Sequence, residues 1–327
     1  MDFGSIFGNT LVYLFHPVTI AYALAATGLA VHFGYAGLLN FGMAAFMAVG
    51  AYGYAIPVLS FGLPWWMGMI IGMLGGVLCA LVLGIPTLRL RADYLAIATI
   101  ATAEIVRLLF QTELFKEYTN SAGGLTGYNQ AGGFTDMNPI PPGTYGFGPF
   151  TYTAGQLWDR VFGLIVLVLA ILLVWALMRS PWGRVLKGIR EDEDAVRSLG
   201  KNVFAYKMQA LIIGGVIGAM GGVIFVLPSS VQPGSYSTSL TFFLWTILLL
   251  GGAATVLGPT LGAVLFWMVF SFLGNLLPQA AAAGFLPITE TQAAVVNWIF
   301  AGVVLMLLVI FRPQGILGDK REMTFVR

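Results

Sequence analysis

Charge is scarce in this chain of 327 residues: only 9% are Asp, Glu, Lys or Arg, against about 25% in soluble domains. Between residues 3 and 88 there is none at all, and His16 and His32 alone titrate near neutral pH in that window. A soluble globular domain is thereby excluded. Cysteine occurs once, at Cys79, so no disulfide forms within the chain. One cysteine and two histidines leave no recognisable metal-ligand set. Short alternating apolar segments are missing, which excludes a membrane β-barrel. The one Gly-Lys pair, Gly200-Lys201, is followed by Asn202 and lacks the upstream glycine of a phosphate-binding loop. The chain is not expected to bind ATP in that way. Neither a Gly-x-Ser-x-Gly elbow nor His-Glu-x-x-His occurs, and no constellation marks an enzyme. Basic residues are interleaved with acids and no nucleic-acid motif appears. The start, MDFGSIFGNT, lacks the basic region of a cleaved signal peptide, so the spans themselves are expected to direct insertion.

What the chain has is apolar sequence: 58% of residues, with a mean hydropathy of +0.87. Several runs exceed the roughly 20 residues that a helix needs to cross a bilayer. The expected fold is an all-α polytopic membrane protein, one transmembrane domain over 1–327. About eight or nine transmembrane helices are expected, near 11–33, 39–59, 65–88, 93–111, 161–178, 207–228, 240–257, 259–277 and 293–311. Seven of the sixteen Lys and Arg lie in 179–207 and four more in 312–327. Cationic excess marks cytoplasmic loops, so 180–206 and the tail 312–327 are expected inside the cell. Threading from there puts Arg89 and Arg91 in a short cytoplasmic turn and the N-terminus outside. The segment 112–159, rich in Gly, Pro, Asn and Tyr, reads as an extracytoplasmic loop with short helical pieces.

Glycine is frequent, at 42 residues, often at small-xxx-small spacing as in Gly68-x3-Gly72-x3-Gly76 and Gly214-x3-Gly218-x3-Gly222. Such stripes let helix backbones approach closely in lipid and need no chemistry to explain them. Two glycine breaks, FGYAG at 33–37 and GGAATVLGP at 251–259, are weakly similar. As equivalent positions they would make the chain two inverted halves around a mid-membrane site.

The charged segment SPWGRVLKGIREDEDAVRSLGKNVFAY, 180–206, interrupts all this. It must lie in water, and it reads as a short amphipathic helix. Leu186, Ile189, Val196 and Leu199 form an interrupted apolar stripe, with Gly200 as a C-cap. Glu104 and Arg107 are i, i+3 neighbours able to pair on one helix face. Glu104 lies about 16 Å along its helix from Asp93, near mid-membrane, where charge defaults to a functional hypothesis. Two readings stand: an ion pair that locks helices together, or a part of the path of a zwitterionic substrate. An ion-gradient-driven transporter or channel would need such a carboxylate, and Glu104 is its candidate.

A set of blocks occurs in order: GYAGLLNFGMAAFMAVGAY (34–52), LRLRADYLAIATIATAEIVRLL (88–109), AGGLTG (122–127), GRVLKGIREDEDAVRSLGKNV (183–203), GGAATVLGPTLGA (251–263) and FRPQGILG (311–318). Together they resemble the branched-chain amino-acid ABC-transporter inner-membrane permeases, of the subunit type with an Arg-Pro-x-Gly tail. The resemblance implies a pore built with a second homologous permease, two cytoplasmic ATPase subunits that bind ATP–Mg, and an extracytoplasmic solute-binding protein. The chain itself would hold no cofactor and catalyse nothing. It would carry branched-chain or related small apolar amino acids by alternating access, and the family also includes permeases for urea and short amides. The coupling helix would dock on an ATPase through Arg190, Glu191, Asp192 and Glu193, anchored by Leu186, Ile189 and Leu199 and closed by Gly200. The pathway candidates are Gly37, Asn40, Met43, Glu104, Arg107, Gly123, Gly124, Thr126 and Asn129. Relatives carry His where Met43 stands and Thr-Gly-Gly where Ala122-Gly123-Gly124 stands, which leaves the substrate open.

Overall fold

The computed structural model describes residues 3–90, 92–129, 133–285, 288–311 and 314–318. A first helix α1 (Phe3–Val12) and a 3-10 turn (Tyr13–Phe15) lead to His16. Pro17 has no N–H to continue that helix, so the chain restarts there. The His16 Nδ1 accepts the Val18 N–H at 3.3 Å and caps α2 (Pro17–Leu29). The expected span 11–33 is therefore split, and its membrane-crossing part is Pro17–Tyr35.

α2 runs on into a π-helical stretch, Ala30–Tyr35. Its run of Ala, Gly and Thr is apolar all round and buried at nearly every position, as befits the central helix of a bundle. Around it and on one another pack α3 (Met43–Phe61), α4 (Trp65–Thr87), α7 (Ala154–Arg179), α10 (Val203–Val226), α11 (Thr238–Gly251) and α12 (Gly258–Ala282). The glycine stripes are where backbones meet. A Cβ added at Gly214 would lie 2.4 Å from the Gly28 carbonyl oxygen, and one at Gly222 would lie 2.0 Å from that of Met47.

α5 (Ala92–Gln111) turns Leu95, Thr99 and Ala103 inward at four-residue spacing, while Tyr94, Ile97, Ile105 and Leu108 are exposed. The chain then bends by 55° towards the short α6 (Lys116–Thr119). The segment expected as a loop holds α6, two 3-10 turns and a two-residue hairpin, Thr144–Tyr145 with Tyr152–Thr153. α7 begins at Ala154 rather than 161, because Thr153 and Gln156 form a capping box.

The charged segment is two helices rather than one. α8 (Pro181–Glu191) starts from the Ser180 cap, and α9 (Glu193–Ser198) from Asp192, whose side chain accepts the Ala195 N–H at 2.9 Å. Asp192 is extended (φ −154°, ψ 102°), which breaks the helix between them. α13 (Glu290–Phe311) is the last helix among the described residues.

Each of the nine expected spans falls on a helix. Among the described residues six helices are long and apolar enough to cross a membrane, or seven with the bent α5–α6 pair counted as one. α11 falls short at 14 residues, about 21 Å of helix. It stops where Gly252 takes φ +117°. Residues 314–318 then serve α11: the Ile316 and Leu317 N–H groups donate to the Leu250 and Gly251 carbonyls at 2.9 and 3.0 Å, satisfying helix-end acceptors. Arg91, Arg312 and 319–327 lie outside the described residues.

Replacing Gly222 by Val forces side-chain atoms onto the Met47 backbone, which cannot give way. Thermal unfolding in detergent should show a loss of at least about 1–3 kcal/mol. Gly155→Ala, with nothing within 4 Å of an added Cβ, should leave the midpoint unchanged; equal behaviour of the two would contradict this packing.

Candidate functional site

The charged segment bears on the bundle through few contacts. Leu186 is fully buried in the main core, while Ile189 packs with Val196 and Val203 in a small cluster of its own. These two apolar expectations hold α8 against the bundle. Leu199 does not: it is 78% exposed at the end of α9. Leu199 is the C-cap of α9, at φ −80° and ψ 10°, just past its last helical residue. Gly200 takes φ +76° just past α9, the left-handed position that glycine accepts without strain.

Arg190 is turned inward, not outward as expected for a docking side chain. Its Nη1 donates to the Gly34 carbonyl oxygen at 2.5 Å, while Nε and Nη2 donate to Glu191 Oε1 at 3.1 and 2.7 Å. Its stem packs on Gly37, where an added Cβ would lie 3.2 Å from Cγ. The guanidinium thus bridges the end of α2 to Glu191, whose side chain is 66% exposed. Gly34 is free to accept because it lies in the π-helical stretch, where the regular ladder shifts register. Gly34 must also be glycine, since a Cβ there would meet the Ala253 carbonyl at 1.8 Å. The two glycine breaks read from the sequence therefore touch. Glu193 is likewise occupied, by Arg197 at 2.8 Å and by Lys207 of α10. A groove of about 780 Å³ beside it is lined by Arg89, Glu193, Asp194, Arg197, Lys201 and Lys207. Arg89 stands over the Phe204 ring at 5.6 Å, which puts the turn after α4 at this charged end.

The pathway candidates do not form one lining. Asn40 is fully buried and committed: its Nδ2 meets His32 Nδ1 at 2.9 Å and its Oδ1 accepts the Gly42 N–H at 2.7 Å. His32 Nε2 meets the Leu211 carbonyl at 3.0 Å, so with Nε2–H donating the ring is a neutral bolt between α2, α10 and the loop to α3. Met43 is buried against Gly218. These side chains are buried in the packing. Gly123, Gly124, Thr126 and Asn129 lie at the opposite end. Gly124 (φ +70°) packs on the Val231 backbone, Thr126 is exposed, and Asn129 is held by the Tyr54 hydroxyl and donates to the Leu227 carbonyl. Glu104 and Arg107 form a two-pronged pair, with Nε to Oε2 at 3.0 Å, and Arg107 also reaches Gln111 at 3.1 Å. The pair lies within α5 and, among the described residues, joins no second helix, with Glu104 39% exposed.

Sequence reasoning missed Gly34 as an acceptor, Lys207 as a partner of Glu193, and the pair Asp159–Arg160 near the start of α7. The start of α7 that positions the last of these was legible: Thr153-x-x-Gln156 ahead of an apolar run signals a helix start. Among the described residues no group of three His, Cys, Asp or Glu could hold a metal.

A buried helical bundle with an amphipathic charged segment braced against it is the frame of a transport permease. Residues 14–313 match the family described as branched-chain amino acid transport system / permease component, and the chain belongs to that family. The high-affinity branched-chain amino acid transport system permease protein LivM of Escherichia coli (strain K12) is 30% identical, covering 93% of this chain and 69% of its own length. A probable LivM of Methanocaldococcus jannaschii is 26% identical over 93% of this chain and 92% of its own length. The nucleoside ABC transporter permease protein NupC of Lactococcus lactis is 26% identical over 74% and 76%. The chain is a multi-pass membrane permease, and these relatives are named as transport permease proteins.

Because the Glu104–Arg107 pair is local to one helix, exchanging its ends (E104R with R107E) should re-form it. The yield of monodisperse chain from detergent should stay within about twofold, while Glu104→Gln alone, which leaves an unpaired charge in the span, should lower it several-fold. Equal losses would show that the pair answers to groups outside α5.

Proposed function

We propose that this chain is a membrane-spanning subunit of an ATP-driven ABC importer, working by alternating access, with branched-chain or related small apolar amino acids as cargo. The charged end faces the cytoplasm, and the Asn129 end faces outward. Partner ATPases bind and hydrolyse ATP–Mg, a second permease completes the pore, and an extracytoplasmic binding protein delivers the solute. Family membership supports the class. Two relatives named for branched-chain amino acids and one named for nucleosides, at similar identity, support the cargo less strongly than the class.

The observation that carries the mechanism is the Arg190 bridge. Glu191 presents its carboxylate at the surface while holding the guanidinium that holds Gly34. A partner that engages Glu191 therefore acts on the end of the central helix through one side chain. The exposed Leu199, Asp194 and Lys201 complete the free face of the segment. Leu186 and Ile189 make α8 move with the bundle instead of sliding over it.

Arg190→Ala should leave insertion and partner assembly intact and lower leucine uptake at least tenfold while ATP hydrolysis persists. Glu191→Lys, which removes the clamp from outside, should do the same. Both rates are read together on proteoliposomes of the full importer; uptake that stays coupled in both variants would contradict the bridge.

A further inference from the structure

At the end of the bundle opposite the charged segment lies a cavity of about 530 Å³. It is walled by the start of α2 (His16, Pro17, Val18), the first turns of α7 (Gln156, Asp159, Arg160) and the connection after α10. Its volume is within the range of small-ligand pockets, and its chemistry is unusual for the rim of so apolar a bundle.

Arg160 is only 7% exposed. Its Nη1 donates to the Gln156 carbonyl at 2.7 Å, and its guanidinium stands over the Tyr152 ring at 4.0 Å, yet its buried Nε has no hydrogen-bond partner. Asp159 is half-buried beside it and makes no hydrogen bond or ion pair among the described residues. Neighbours in a helix point about 100° apart, so the two charges line one cavity without neutralising each other by contact. His16 adds no charge, because its Nδ1 lone pair accepts the Val18 N–H and its ring stacks on Tyr13 at 4.8 Å. The cavity therefore offers one cation and one carboxylate, with Ser230, Gln232 and Ser235 as neutral polar groups and Phe225, Pro17 and Val18 as an apolar wall. Charges held at a low-dielectric site are retained at a cost unless something pairs with them.

We propose that this cavity binds the head group of a free α-amino acid, Arg160 taking the carboxylate and Asp159 the ammonium, at the outward end of the permease. The apolar wall takes the side chain, which suits an aliphatic one. The site rests on the amino-acid reading of the function above and supplies a waypoint within this chain, before the solute enters the path shared with the second permease. A guanidinium alone would suit any carboxylate; the free Asp159 beside it makes a zwitterion the matching ligand.

The test is equilibrium binding of radiolabelled L-leucine to the full chain in nanodiscs, with leucinamide and N-acetyl-leucine as competitors. Binding should be saturable, neither derivative should compete within tenfold of leucine, and Asp159→Asn should weaken binding at least tenfold. Asp159→Asn keeps the helix and its volume, and the competitor pattern reads the wild-type chain, so neither arm depends on an Arg160 variant folding. Absence of binding, leucine binding indifferent to Asp159→Asn, or equal competition by leucinamide would overturn the site. Leucine uptake by the assembled importer without binding here overturns the site and leaves the proposed function standing. Binding here without uptake supports the site and contradicts that function.

Discussion

A hydrogen bond from Arg190 joins the charged segment, which lies outside the bundle, to the helix at its centre, next to the Lys187 ammonium 6.0 Å over the Tyr35 ring. Arg190 reaches the Gly34 carbonyl because three things coincide. The π-helical stretch leaves that carbonyl an acceptor, α8 is fixed by Leu186 and Ile189, and the missing Cβ at Gly34 lets the backbone around Ala253 close in behind it. Remove any one and the bridge has no geometry. The charge-assisted bond is of the stronger kind, and its donor is kept in place by Glu191 at the surface. The contact is thus firm inside and adjustable outside.

The bundle behind it is closely packed. Close approach at Gly28–Gly214 and Gly222–Met47 brings backbone onto backbone, which in lipid gives dense packing without needing polar glue. The His32–Asn40 network then fixes the end of α2 to α10 and to the loop before α3. A displacement imposed at Gly34 has few soft elements in which to dissipate, since packed interiors switch between discrete arrangements and do not deform continuously. The tail at 314–318, which caps α11 by adding donors to its last carbonyls, ties a further element to the same end.

Much of this was legible in the sequence. The nine apolar runs all fall on helices, six or seven of them long and apolar enough to cross a membrane, because a helix satisfies its backbone within one apolar segment. Leu186, Ile189 and Gly200 fell where their spacing and φ requirements put them. The break at His16-Pro17 and the earlier start of α7 were written in local signals, a proline and a capping box, that the hydropathy reading overran. What was not legible depends on tertiary contact. Nothing near residue 34 announces a π-helical stretch, and the inward turn of Arg190 requires an acceptor supplied from 156 residues away. Asn40 and Asn129 looked like solute contacts because they are polar groups in apolar surroundings. That same setting obliges them to spend their hydrogen bonds on neighbouring protein groups.

The most direct measurement is backbone hydrogen exchange on the assembled importer, with and without a non-hydrolysable ATP analogue, following peptides that cover 30–42 and 181–200. The account predicts that protection in both changes together on nucleotide binding, and that Arg190→Ala leaves the change in 181–200 while abolishing it in 30–42. A change in 181–200 with 30–42 unaffected in the unaltered protein would contradict transmission through this bridge.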